Sequence, residues 1–334
     1  MRPEPVISVV IPTRNRAELL REALASLASQ TLDRDEFEVV VVDDGSADET
    51  EFVCDAAQRE LALSYWRIEP SGIAAAKNLG LFASRGSITL FFDDDDLAHP
   101  DLLREHVRTH KENDAAAAAV LGYTEWAPTL EVTEAMRFVT DVGYFLFAYP
   151  LITDGDVLDY TFFWGGRTSV KRQFLAQEGC FDQAFEFGCE DIELGYRLAR
   201  HGFKVLYNAR ARSYMNRALS VDDLCRRCER QGYAQHHFGS ELYGDDPTIR
   251  SYCEIDGAFE LWSEAQSTIE VDASRARDLD RRLMVTEVGD RGALTTELHA
   301  VIERLLRAHK AKGIVHAARG LELRDMRTFA RVDQ

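Results

Sequence analysis

The amino-acid sequence predicts an α/β fold: a doubly wound, mostly parallel sheet flanked by helices, continued by a mostly helical C-terminal extension. Two observations predict it. Through the first hundred residues, short β-rich apolar runs alternate with segments of helical apolar spacing, the pattern of parallel strands joined by crossover helices. From about Ser220 the strand-like runs stop and helical spacing dominates.

The elements follow in order. Residues 6–12 (VISVVIP) form a β-rich apolar run closed by proline, hence a buried strand. Residues 16–30 carry apolar side chains at helical spacing. Residues 37–50 (FEVVVVDDGSADET) are a second buried strand ending in a turn, where Ser46 or Asp48 can cap a helix near 49–60. Residues 63–68 read as a third strand, 72–84 as a helix and 87–92 (SITLFF) as a fourth strand. After Leu121 the pattern weakens, and 123–160 is aromatic and irregular; 135–151 reads as core or as part of an acceptor region. Residues 169–181 read as a short helix and a turn, 190–202 as a helix closed by glycine, and 203–208 as a strand.

Composition narrows the function. The chain has 334 residues, 46% of them hydrophobic, enough for about two domains or one α/β domain with an extension. A net charge of −18 argues against the basic stripe that nucleic acid needs, so an anionic substrate requires a local cation or metal. The N-terminus shows no secretory pattern and no window approaches 18 apolar residues, which points to a cytoplasmic protein. The six cysteines read as reduced thiols; Cys225-x-x-Cys228 lacks a second close pair and reads as two helical positions. Between 291 and 334 stand nine Lys or Arg against five Asp or Glu, on an amphipathic pattern. That tail would dock on the main domain, form a homodimer contact, or touch the inner membrane face weakly.

Pro12-Thr13, Asp43-Asp44 and Asp93 to Asp96 all fall at carboxyl ends of strands, where open sheets bind ligands. Four adjacent aspartates repel by roughly 1 kcal/mol per close pair in water and about 4 near a protein surface. In an extended segment Asp93 and Asp95 face one side and Asp94 and Asp96 the other, toward solvent or the next helix. A hard divalent cation, Mg²⁺ or Mn²⁺, held by carboxylates and substrate phosphates, would relieve the first pair. No G-x-G-x-x-G follows a strand and no P-loop signature occurs, so a metal rather than a glycine nest must carry most phosphate charge. Arg14 and Lys77 stand close by in sequence as further cations.

SVVIPTRNR, VVVVDDGSADET, GIAAAKNLGLFASRGSITLFFDDDD and GCFDQAFEFGCEDIELGYRLARHGFKV, in this order, resemble the signature blocks of family 2 glycosyltransferases with the GT-A fold, over about residues 5–210. The resemblance implies the following roles. Pro12, Thr13 and Arg14 would border the base and ribose. Asp44, or its neighbour Asp43, would accept a hydrogen bond from the base, usually uracil. Lys77 would lie near the diphosphate. Asp93-x-Asp95 would be the DxD motif, Asp95 on the metal and Asp93 on ribose or metal, with Asp94 beside them at the nucleotide. Asp191 would be the catalytic base, Glu190 its neighbour for sugar or acceptor contacts. Trp164, Gly165, Gly166 and Arg167 would belong to the loop over the donor sugar. Two positions depart from the family: Glu193 replaces a second aspartate, and no histidine follows the next strand as a metal ligand, Met215 or Asn216 standing there instead. His236 and His237 lie further on.

The expectation is thus an inverting, metal-dependent hexosyltransferase. It takes a nucleotide diphosphate sugar, UDP-linked, and a glycan, lipid-linked or small-molecule hydroxyl acceptor. Residues 1–125 would form the nucleotide-sugar-binding half, 126–220 the acceptor and catalytic-base half, and 221–334 the helical extension. The rival readings are a sugar nucleotidyltransferase, which usually needs a glycine-rich basic loop absent from IPTRNRAELL, and a sugar-nucleotide-binding scaffold without catalysis.

Overall fold

The computed structural model describes residues 4–321. Among them the strands are β1 (Ile7–Thr13), β2 (Phe37–Asp43), β3 (Leu63–Arg67), β4 (Ile88–Phe91), β5 (Asp96–Ala98), β6 (Ala118–Trp126), β7 (Val157–Leu158), β8 (Thr168–Lys171) and β9 (Lys204–Met215). They form one sheet in the order β3-β2-β1-β4-β8-β6-β9-β5, with β7 beside β9. The helices of the α/β part are α1 (Ala17–Ala28), α2 (Thr50–Ala57), α3 (Ile73–Ala83), α4 (Leu102–Glu112), α5 (Glu134–Arg137), α6 (Arg172–Glu178) and α7 (Glu190–Ala199). The extension adds α8 (Val221–His236), α9 (Pro247–Tyr252), α10 (Ala258–Ala265), α11 (Ile269–Val285) and α12 (Gly292–Ala318).

β1 and β2 are buried at every position, which is why they read as unbroken apolar runs. Alternate residues feed two cores: Val9, Ile11 and Val39 pack under α1, while Val10, Val40 and Phe91 pack with α3 and α6. β1, β2, β3 and β4 are mutually parallel, so their carboxyl ends share one edge of the sheet.

Two departures from the sequence reading matter for the site. The stretch 169–181 is not simply a helix and turn. Thr168–Lys171 is a strand wedged antiparallel between β4 and β6, and only Arg172–Glu178 is helical. Four residues are too few to show a period; the ladders on both sides fix them as strand. β9 is twelve residues long instead of six. A register jump between Gly122 and Tyr123 of β6 lets its second half continue beside β5, pairing Asp96 with Met215. The chain after β9 is thereby delivered to the four aspartates.

The extension has its own apolar core, built from α8, α11 and α12 with α5. Cys225 and Cys228 lie inside it as two positions of α8. α8 and α12 approach backbone to backbone: a Cβ on Gly232 would lie 1.9 Å from the Lys310 carbonyl, and one on Gly313 1.9 Å from that of Glu229. The apolar face of α12, including Leu298, Ile302 and Leu305, is covered within the chain. The remainder of the basic tail, 322–334, lies outside the described residues, as do 1–3. No helix among the described residues is long and apolar enough to cross a membrane.

Candidate active site

The carboxyl ends of β1, β2 and β4 open onto a cavity of ≈ 580 Å³. At one end lie Pro12, Thr13, Arg14 and Asp44. The Asp44 carboxylate accepts hydrogen bonds from the backbone N–H of Ser71 (2.6 Å) and Gly72 (3.1 Å), and Arg14 stands 3.5 Å away. Asp43 does not line the cavity. It is fully buried and accepts from the Ser46 N–H (2.7 Å) and the Tyr65 hydroxyl (2.6 Å), so it braces the turn that presents Asp44.

The four aspartates are each met by an arginine. Asp93 pairs with Arg167 at 3.0 Å, and Asp94 with Arg16 at 2.7 Å and the Thr13 hydroxyl at 2.8 Å. Asp95 lies between Arg16 (3.2 Å) and Arg217 (3.0 Å), and Asp96 pairs with Arg167 at 3.1 Å. The expectation that Asp94 and Asp96 turn toward solvent or the next helix fails: they are 4% and 0% exposed and pair with Arg16 and Arg167. Guanidinium groups from three distant segments make burial on both sides tolerable. Burial pushes the Asp96 carboxyl up to about 7 against the opposing Arg167, with Asp93 and Asp95 adding to the rise. Burial also acts against ionisation of Asp95, but Arg16, Arg217 and Arg167 outweigh it and hold that carboxyl below its ordinary value.

Asp93 and Asp95 engage the arginines through Oδ2, and no described protein group bonds their Oδ1 atoms. That leaves each carboxylate an oxygen for a hard cation. No group of three or more His, Cys, Asp or Glu stands ready to hold a metal among the described residues. Where the family resemblance implies histidine, the Asn216 N–H bonds the Asp95 carbonyl and Arg217 pairs with its side chain. His236 and His237 face Glu241 instead. The donor set therefore suits a cation completed by substrate phosphates and water. Gly166 permits this crowding, since a Cβ there would sit 2.0 Å from Asp93 Oδ2.

Asp191 and Glu190 open α7, directly after Cys189, whose φ of +62° turns the chain into the helix. Asp191 accepts from the N–H of Gly165 (2.8 Å) and of Ile192 (2.8 Å). Burial, then the neighbouring Glu190, pushes its carboxyl up to about 6, opposed by Lys77 and those two N–H groups. Lys77, expected near the diphosphate, is buried and ion-paired with Glu190 at 2.7 Å. Its charge holds the carboxylate pair together beneath Gly165. Glu193 accepts from Arg197 and from the Tyr243 hydroxyl (3.0 Å), which ties α7 to the extension.

Trp164, Gly165, Gly166 and Arg167 line the cavity as the sequence implied, and so do Glu190, Asp191, Asp93 and Asp94. Sequence reasoning missed Arg16, Arg217, Arg227, Phe187 and Tyr252. The aromatic segment 144–148 also lines the cavity, in the stretch read as core or acceptor region.

A mostly parallel α/β sheet whose strand ends carry an acidic turn, with the Glu190–Asp191 carboxylate pair lining the same cavity, defines a GT-A type of protein. The sequence model described as Glycosyl transferase family 2 matches residues 8–176, and the chain belongs to that family. Validoxylamine A glucosyltransferase of Streptomyces hygroscopicus subsp. jinggangensis is 36% identical over 221 residues, 59% of this chain and 52% of that protein. The uncharacterized glycosyltransferase YfnE of Bacillus subtilis is 29% identical over 238 residues, 58% of this chain and 60% of its own. The chain thus spans about half the length of the curated relatives it matches. Among solved structures, mannosyltransferase PcManGT from Pyrobaculum calidifontis, in complex with GDP-Man and Mn²⁺, has a TM-score of 0.63 at 20% identity, covering 96% of this chain and 89% of that one. The TarS 1-349 structure from S. aureus has a TM-score of 0.51 at 17% identity, covering 95% and 93%. These structural likenesses show a shared fold.

Proposed function

We propose that the protein is an inverting, metal-dependent glycosyltransferase that moves a sugar from a nucleoside diphosphate sugar, UDP-linked, to an acceptor hydroxyl, with Asp191 as general base. The observation that carries this reading is the placing of Asp191: a half-buried carboxylate, raised to about 6, in the same cavity as the acidic turn. The acceptor oxygen attacks the anomeric carbon, the bond from that carbon to the diphosphate oxygen breaks, and the hydroxyl proton passes to Asp191. One displacement from the face opposite the leaving group inverts the anomeric centre. A divalent cation, Mg²⁺ or Mn²⁺, would be held by Asp95 and Asp93 and would neutralise charge developing on the leaving diphosphate. The GDP-Man and Mn²⁺ complex of the mannosyltransferase and the glucosyltransferase relatives support the reading. Residues 1–125 would supply the nucleotide wall, 126–220 the base, and 221–334 the closing wall.

The test is donor turnover across a panel of UDP- and GDP-sugars with Mn²⁺ or Mg²⁺. Asp191→Asn is expected to lose about 10²–10⁴-fold in kcat, and Asp95→Ala to lose metal-dependent turnover. Full activity in both variants would sink the site assignment. Pyrophosphate released in place of nucleoside diphosphate would instead indicate nucleotidyl transfer.

A further inference from the structure

We infer that Arg227, on α8 of the helical extension, is a binding residue for the diphosphate of the donor and meets the leaving group at the acidic-turn end of the cavity. The inference rests on the glycosyl-transfer reading and adds to it a residue beyond the span matched to the family.

Six cationic side chains line the cavity. Arg14 is paired with Asp44, Arg16 with Asp94 and Asp95, Lys77 with Glu190, Arg167 with Asp93 and Asp96, and Arg217 with Asp95. Arg227 has no carboxylate within ion-pair distance among the described residues. Its guanidinium lies over the ring of Phe187, 5.8 Å from the centroid. A ring on one face orients a planar fork without neutralising it, which leaves its N–H edge for a phosphate.

The charges acting on Arg227 locate it. Burial first, then Arg217, hold its pKa below the ordinary value, with Arg167 adding to the drop and Asp93 opposing it. Asp93 belongs to the acidic turn, and Arg167 and Arg217 pair with that turn. A half-buried cation on which two like charges act is favoured by an anion placed among them. The leaving diphosphate acquires negative charge as the glycosidic bond breaks, so Arg227 interacts more strongly with the transition state than with the bound donor. An anionic acceptor would offer the same phosphate chemistry from the opposite side, and the experiment separates the two.

Binding of UDP, GDP, uridine and guanosine, each with Mn²⁺, is measured by calorimetry for the wild type, Arg227→Ala and Arg227→Lys, alongside thermal melting. The expected result is at least a tenfold loss of diphosphate affinity in Arg227→Ala. The weaker nucleoside binding and the melting temperature stay unchanged, and Arg227→Lys recovers part of the loss. Equal diphosphate affinity in wild type and Arg227→Ala overturns the assignment while leaving glycosyl transfer standing. So does an equal loss for nucleoside and diphosphate, which marks a structural effect. Unchanged diphosphate affinity with a raised acceptor KM overturns it in favour of an acceptor anion. A wild type that binds neither diphosphate overturns the glycosyl-transfer reading and this assignment with it.

Discussion

Lys77 governs the carboxylate pair from below. Its Nζ holds Glu190 and lowers the proton affinity of Asp191, while burial and Glu190 raise it. In the role proposed for Asp191 a general base must be ionised, so kcat/KM is expected to fall as pH drops through about 6 and to level off above it. Lys77→Ala removes the opposing cation, so the acid limb moves to higher pH; the buried Glu190 left behind costs about 3–5 kcal/mol of stability. An unmoved limb in the pH–rate profile would mean that Lys77 has no part in setting the proton affinity of Asp191. At this scale the acidic residues were legible and their partners were not. Asp93, Asp95 and Asp191 stand in dense acidic blocks behind apolar runs. Arg217 and Arg227 are ordinary arginines in an arginine-rich stretch, and only the long reach of β9 brings Arg217 to Asp95, across more than a hundred residues of chain. The Asp43–Asp44 pair could not be divided by inspection, because the division depends on which carboxylate the turn consumes.

Among the elements, α4 and β8 join through two buried histidines. His106 Nδ1 and His110 Nε2 both contact the Ser169 hydroxyl, at 2.8 and 2.9 Å. The hydroxyl has one proton, so it donates to one ring and accepts from the other. Burial pushes His106 down to about 3, with His110 adding to the drop, and burial pushes His110 down to about 4, with Lys171 adding. Both are therefore neutral in the fold, whereas the unfolded chain takes up protons below the ordinary value of 6.5. Their contribution to stability is complete above that pH and declines as pH falls toward about 4. Asp96, raised to about 7, acts with the opposite sign: its protonation favours the fold as pH drops. Urea unfolding of the wild type and a His106→Gln/His110→Gln variant at pH 7 and about 5.5 separates the two, and the variant is expected to lose less stability between them. Equal losses would mean the histidines titrate normally. β8 itself was invisible as a strand, because its four residues carry no period and its neighbours on both sides come from other parts of the chain. β1 and β2, seven residues each and buried throughout, announced themselves through composition alone.

For the whole molecule, the extension forms part of the cavity wall. α8 supplies Arg227 and α9 supplies Tyr252 to the cavity, and Tyr243 ties the extension to Glu193 of α7. α8 is in turn seated on α12 through Gly232 and Gly313. Gly232→Ala or Gly313→Ala forces backbone apart and is expected to cost about 1–3 kcal/mol. It should also weaken nucleoside diphosphate binding, although neither glycine lines the cavity. Melting curves and calorimetry on the same samples test this, and full stability with full affinity would show that the crossing is loose. The sequence revealed that the last third is helical, but not that it faces the site, since helical period says nothing of which surface a bundle covers.

The acidic turn also sets an order of events. Its four aspartates are complete once residue 96 has been made, yet the arginines that steady them sit at 16, 167 and 217. A chain emerging from the ribosome can offer this turn only Arg16 until Arg167 and then Arg217 have followed. The sheet edge can form early; the pocket cannot, because its last counter-charges are synthesised late. The acidic turn is therefore fully paired only after the strand that delivers Arg217 has been made, so the crevice is completed later than the sheet edge it opens from.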